Sequence, residues 1–189
     1  MRRLPRSLIF AYAIFGLFVI LESRLRQGEA AKTLDDGVAD AGTTRLIGVG
    51  FGASLVGIPL VVLTGRGRIG VPSALGPAVM FLGLGLRVWS ALVLGRFYTR
   101  TLRVASDQIV VRSGPYLVVR HPGYLGVLLM WIGFGLAAAN WLATVAVGAT
   151  MTYAYLQRIR SEEAMLLADL GEPYRAYMDT TWRLMPGVY

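Results

Sequence analysis

Apolar positions in this chain gather into long blocks separated by short polar or turn-forming stretches. Ser7 to Leu21 is the first block, Leu46 to Leu63 the second and Val71 to Leu94 the third. All three outrun any ordinary strand and read as helices able to enter a bilayer, the first being the shortest. From Gly123 to Leu156 the chain is almost continuously apolar. That is too long for one crossing and right for two of about 17 residues joined by a tight turn at Asn140. The pattern predicts an all-α integral membrane protein of about five transmembrane helices, the last two forming a hairpin.

The stretches between the blocks refine this picture. Gln27 to Thr44 carries Gly28, Gly37 and Gly42 and reads as an extramembrane loop, with Thr43 or Thr44 capping the next helix. Gly48 and Gly52, four residues apart, offer a face on which another helix can pack, and Pro59 predicts a kink. Gly65 to Arg68, with Pro72, is a short turn that returns the third block antiparallel to the second. Gly95 to His121 is a long polar loop, and its middle, Leu102 to Arg112, suits a short hairpin about Ser106 and Asp107. Gln157 to Tyr177 reads as a polar-faced helix, broken at Gly171 and Pro173, that lies on the membrane surface or folds back over a site.

Composition agrees with the pattern and removes several function classes. With 55% hydrophobic residues and a mean hydropathy of +0.56, the chain is not an ordinary soluble domain. Its lack of cysteine excludes disulfides and thiolate metal sites, and a single histidine argues against a metal centre. The net charge of +8 comes from arginines lying between apolar runs, so it suits lipid headgroups and not nucleic acid. Arg2, Arg3 and Arg6 precede the first block, but no small-residue cleavage site follows it, so a retained helix is expected. Thirteen lysines and arginines fall on the side of the Gly95 to His121 loop and the tail against five on the other, which places loop and tail in the cytoplasm. Arg87 lies inside the third block and is expected to be structural, either snorkelling or packed near Trp89 or paired with a group at that end of its helix.

Two polar clusters carry the candidate chemistry. Ser113-Gly114-Pro115-Tyr116 is a turn, and Arg120-His121-Pro122 starts a helix, since Pro122 fits the first helical position where its missing N–H costs nothing. A helix N-terminus flanked by Arg120 and His121 would hold a carboxylate or phosphate. Arg158 and Glu162 share one helical face four residues apart. An even number of spans separates the clusters, so both lie at the same membrane face and can form one site. Joined only through the hairpin, each is expected to open locally at low cost.

The runs SGPY and RHPGYLG (Arg120 to Gly126), the Arg-x-x-x-Glu-Glu of Arg158 to Glu163, and GEPYRAY (Gly171 to Tyr177) together resemble the isoprenylcysteine carboxyl methyltransferase family. They are similar also to the wider membrane methyltransferase group that includes phospholipid N-methyltransferases. The resemblance covers residues 80–186, a methyltransferase core within a single domain of residues 1–189 whose first 70 residues are further helices. It implies S-adenosylmethionine as cofactor and a lipophilic or lipid acceptor. His121, Tyr124 and Glu163 match cofactor-contacting positions, with Gln108, Tyr116 and Arg120 alongside, and Arg158 and Glu162 match the reacting centre. The cofactor's carboxylate would suit Arg120 and His121, and its ammonium Glu163. Where the family has histidine before the SGPY turn this chain has Gln108, which hydrogen-bonds but does not titrate. An NADPH-dependent reductase of the sterol-reductase type and a non-catalytic membrane subunit are the alternatives.

Overall fold

The computed structural model describes residues 4–25, 40–98 and 107–188, and these contain helices and turns with no strand. The helices are α1 (Arg6–Leu25), α2 (Thr43–Thr64), α3 (Leu75–Leu94), α4 (Pro122–Ala137), α5 (Trp141–Leu170) and the short α6 (Glu172–Met178). By length and composition Arg6–Leu25, Thr43–Thr64 and Leu75–Phe97 can each cross a membrane, while α4 is apolar but shorter. The first apolar block is therefore a full-length helix, extended by Glu22 to Leu25 beyond its apolar run.

The last turns of α1 and α3, the first turns of α2 and α4, and the outer half of α5 all meet at one end of the bundle, where the site lies. At the other end the α2–α3 and α4–α5 turns are stapled together. The Ile69 N–H donates to the Ala139 carbonyl (3.0 Å) and the Trp141 N–H to the Gly67 carbonyl (2.8 Å). Asn140 caps α5 by accepting the Ala143 N–H (3.0 Å), while its amide donates to the Arg66 carbonyl (2.6 Å). The tight turn expected at Asn140 thus also locks the hairpin to its neighbours.

The closest backbone approach is between α3 and α4, through glycines seven residues apart on each helix: Gly76 and Gly83 against Gly126 and Gly133. A Cβ at Gly83 would sit 2.4 Å from the Gly126 carbonyl oxygen, and one at Gly133 would sit 2.7 Å from that of Gly76. Small residues let the two backbones touch, which supplies packing where lipid tails provide no hydrophobic drive. Gly48 and Gly52, the pair expected to serve this purpose, have no described atom within 4 Å of a built Cβ. Gly83→Leu should therefore lower the unfolding midpoint in detergent by more than an ordinary overpacked site, which costs about 1–3 kcal/mol. Gly85→Leu, in open space on the same helix, is the control and should leave the midpoint unchanged.

On the side of α4 that faces α1 and α2 lies an aromatic cluster. Phe15 of α1 and Phe51 of α2 pack on Trp131 at 4.5 and 4.8 Å, and Phe15 packs on Phe134 at 5.0 Å.

Two local expectations are corrected, and a third falls largely outside the described residues. α5 does not end at Leu156: it runs unbroken to Leu170, 30 residues, and so spans about 45 Å. Gln157 to Leu170 contains no glycine or proline and is rich in good helix formers, so nothing stops the helix where its apolar surface ends. Neither Thr43 nor Thr44 caps α2; Gly42 is the cap residue, and the Asp40 carboxylate accepts the Thr44 N–H (3.0 Å) and hydroxyl (2.8 Å). The hairpin over Leu102 to Arg112 lies outside the described residues up to position 106, and 107–112 form no strand; positions 27–39 of the first loop also lie outside them.

Candidate active site

Gly114, at φ +55°, turns the chain into a single 3₁₀ turn, Gly114–Leu117, and buries Pro115 and Tyr116. The following residues pair with the tail. The Trp182 N–H donates to the Val118 carbonyl (2.9 Å), the Arg120 N–H to the Trp182 carbonyl (2.8 Å) and the His121 N–H to the Arg183 carbonyl (3.2 Å). Loop and tail are therefore clasped directly, and not joined only through the hairpin. Further ties come from Tyr177, whose hydroxyl donates to the Tyr116 carbonyl (2.7 Å), and from Arg112, which donates to the Pro173 carbonyl (2.8 Å).

Pro122 occupies the first position of α4 and leaves His121 as the cap residue. Its imidazole caps nothing. Nε2 lies 3.2 Å from Glu163 Oε1, and the same oxygen accepts from Arg120 Nε at 3.0 Å, while Glu163 Oε2 lies 2.6 Å from Arg183 Nη2. Arg120 Nη1 also donates to the Met178 carbonyl at 2.8 Å and to that of Thr181. The anion held at the start of α4 is thus the protein's own Glu163, a carboxylate only 4% exposed. Burial opposes its charge, but hydrogen bonds and charge from His121, Arg183 and Arg120 outweigh burial and hold its pKa at about 2. The ionised clasp should contribute stability above the ordinary value of 4.5 and lose it as pH falls from there towards 2. Thermal unfolding in detergent tests this: the wild-type midpoint should drop across that interval, and Glu163→Gln should start lower and respond less to pH.

Next to the clasp opens a cavity of about 610 Å³. Of the eight residues singled out in the sequence, Gln108, Tyr116, Arg120, His121, Tyr124, Arg158 and Glu162 line it, and Glu163 stands behind its wall. At its centre the Tyr124 hydroxyl donates to Glu162 Oε2 (2.6 Å) and accepts from Arg158 Nε (3.4 Å). His121 stacks on the Tyr124 ring, centroids 5.7 Å apart, with Nδ1 3.9 Å from Glu162 Oε2. Arg158 Nη1 donates to Asp40, to the Thr43 hydroxyl (3.1 Å) and to the Thr44 hydroxyl (3.0 Å). Gln108, half-buried, donates to the Ile109 carbonyl at 3.4 Å. Tyr174 also lines the cavity, and burial, with Glu162 and Glu163 nearby, raises its pKa and keeps its phenol protonated.

Several contributors were not foreseen. Asp40, fully buried, belongs to a stretch that reads as an ordinary acidic loop, and nothing in its neighbourhood announces a partner 118 residues away. Glu22 follows the first apolar block and takes Arg87 on two bonds, Nε at 2.7 Å and Nη2 at 3.3 Å. Tyr98 donates to the same carboxylate and lies under the Arg87 guanidinium, 4.9 Å from ring centroid to Cζ. The expected partner of Arg87 at that end of its helix is therefore Glu22, whereas Trp89 is largely exposed. Only the charge of Arg87 inside an apolar block hinted at such a pair.

A sequence profile of the isoprenylcysteine carboxyl methyltransferase family matches residues 76–168, from the start of α3 to near the end of α5. A protein-S-isoprenylcysteine O-methyltransferase of Schizosaccharomyces pombe is 30% identical over 107 residues, 56% of this chain and 44% of that protein. Protein-S-isoprenylcysteine O-methyltransferase B of Arabidopsis thaliana is 27% identical over 107 residues, 56% of this chain and 54% of that protein. The matches span about half the length of these relatives. Among solved structures, a eukaryotic intramembrane Ras methyltransferase, isoprenylcysteine carboxyl methyltransferase, has the same fold: TM-score 0.61 and 23% identity, covering 95% of this chain and 63% of that one. Profile, relatives and an integral-membrane fold agree: over residues 76–168 this chain is similar to the isoprenylcysteine carboxyl methyltransferase family.

Proposed function

We propose that the protein is an S-adenosylmethionine-dependent methyltransferase that modifies a lipophilic acceptor, such as an isoprenylcysteine-like carboxylate, at the cytoplasmic face of the membrane. The observation that carries this reading is the two-sided cavity. Its lining combines the polar Tyr124, Arg158 and Glu162 with the apolar Phe18 and Val19 of α1 and Ile47 and Phe51 of α2. A charged, soluble cofactor and a lipid-borne acceptor can meet in such a space. The excess of arginine around this end of the bundle supports the cytoplasmic side.

The residues present suit a ligand bearing both signs of charge. Glu162 offers a carboxylate to its cationic groups; Arg120, His121, Gln108 and Tyr116 offer donors to its carboxylate and polar ring atoms. Glu163 holds Arg120 and His121 in position from behind the wall. S-adenosylmethionine, when bound, supplies an electrophilic methyl group on a sulfonium. Arg158, fixed by Asp40, Thr43 and Thr44, would orient a carboxylate acceptor, which needs no general base. Rate enhancement then comes mainly from positioning and exclusion of water. The reductase and non-catalytic readings have no comparable support, since the similar proteins are all named as methyltransferases.

Calorimetry with S-adenosylmethionine on the purified protein is the test. Saturable binding is expected, weakened by about 2–5 kcal/mol in Glu162→Ala through loss of a charged contact in a partly buried site. No heat of binding by the wild type would defeat the proposal.

A further inference from the structure

We infer that α1 and α2 form the arm that takes the acceptor's hydrocarbon chain, and that Gly48 determines how long a chain the arm accepts. This rests on the methyltransferase reading above. Gly48 lines the cavity, yet a Cβ built on it meets no described atom within 4 Å. Around it the arm is apolar, with Phe18 and Val19 from α1 and Ile47 and Phe51 from α2. One turn nearer the site stand polar groups: Glu22 four residues beyond Phe18, and Thr44 four before Gly48. The Thr44 hydroxyl touches Arg158. A chain whose polar head lies at Arg158 therefore passes Gly48 about 6 Å further down. Below Gly48 the arm reaches Phe51, which packs edge-on against the fully buried Trp131. Polarity thus falls steadily from Arg158 to Phe51, as a single-headed lipid requires.

Gly48 is a position where added volume enters the arm with no described neighbour packed against it. A leucine there places four carbons in space that the chain would use, close to the bulk of one isoprene unit. Both helices lie outside residues 76–168, so the arm is shaped by the part of the chain that the family profile does not cover. Gly52, one turn on, also has open space but does not line the cavity, and it separates an effect on the arm from an effect on the outer face of α2.

The experiment uses the full chain in detergent with N-acetyl-S-isoprenylcysteines of one, two and three isoprene units, comparing wild type, Gly48→Ala, Gly48→Leu and Gly52→Leu. Gly48→Leu should lower kcat/KM for the three-unit acceptor by roughly 100-fold, mainly through KM, since a hydrophobic pocket discriminates by about 10- to 200-fold per group excluded. The one-unit acceptor should change by less than about threefold, Gly48→Ala should fall between, and Gly52→Leu should match the wild type. Affinity for S-adenosylmethionine should be the same in all four. An equal loss for all chain lengths, no loss, or the same loss in Gly52→Leu overturns the inference while leaving the methyltransferase reading intact. If the wild type methylates none of the three, that reading fails, and the arm is judged by labelling. A three-unit probe with a terminal diazirine should label α1 and α2 in the wild type and not in Gly48→Leu; absence of labelling in the wild type overturns the arm as well.

Discussion

Arg158→Lys should lower methyl transfer by about 100-fold or more, the cost of misplacing a reacting group by about 1 Å, while cofactor affinity changes little. The guanidinium works as a two-sided fork. Its Nη1 is bound by Asp40, Thr43 and Thr44, and its Nε meets the Tyr124 hydroxyl that in turn holds Glu162. A lysine ammonium is a point charge on a flexible stem and cannot satisfy both directions. Asp40→Asn, which keeps the shape but removes the charge, should give a smaller loss of the same kind. Single-turnover rates at saturating cofactor, with affinity measured separately, provide the check. A folded lysine variant with wild-type rates would remove Arg158 from the reacting centre.

The largest loss of stability is expected from breaking the Glu22–Arg87 pair. Glu22 is buried and the Arg87 side chain only 14% exposed; two hydrogen bonds join them at the end of the bundle, buttressed by Tyr98. Removing one partner leaves the other as an uncompensated buried charge, which typically costs about 3–5 kcal/mol. Arg87→Met should therefore unfold at markedly lower temperature in detergent, with turnover per folded molecule much less affected. The double variant Glu22→Gln/Arg87→Met should recover part of the loss, because it leaves no stranded charge. A fully stable but inactive Arg87→Met protein would assign Arg87 to the chemistry instead.

Glu162 and Glu163 show how far adjacent residues in one motif can part company. Successive residues on a helix point about 100° apart, so one of the pair faces the cavity and the other faces the clasp. Arg-x-x-x-Glu-Glu identifies both as polar and says nothing of which is which. Once α5 is packed against α4 and the tail, Glu162 meets Tyr124 and Glu163 is enclosed by Arg120, His121 and Arg183. The resemblance implies Glu163 as a cofactor contact, and the geometry binds its carboxylate to two of the wall's donors, Arg120 and His121.

The features legible in the chain are those that depend on local chemistry and on the bilayer as solvent. Apolar runs long enough to cross, glycine and proline at the breaks, Pro122 at a helix start and Asn140 at the hairpin turn all act within a few residues, and the structure contains them at those positions. Counting spans also placed both polar clusters at one end, since a helix entering a bilayer must emerge on the other side. Which distant groups satisfy one another emerges only from the packed helices: Glu22 with Arg87, Asp40 with Arg158, the tail backbone with residues 118–121, and glycines 76 and 83 with 126 and 133. Gly48 and Gly52 have the same four-residue spacing as a packing motif, yet no described atom comes within 4 Å of a Cβ built at either position. The reason is common to all of these. Burial obliges a charge to find a counter-charge and a bare backbone face to find a close neighbour, but the obligation is met by whichever partner the packed helices bring within reach, and that is a property of the three-dimensional arrangement alone.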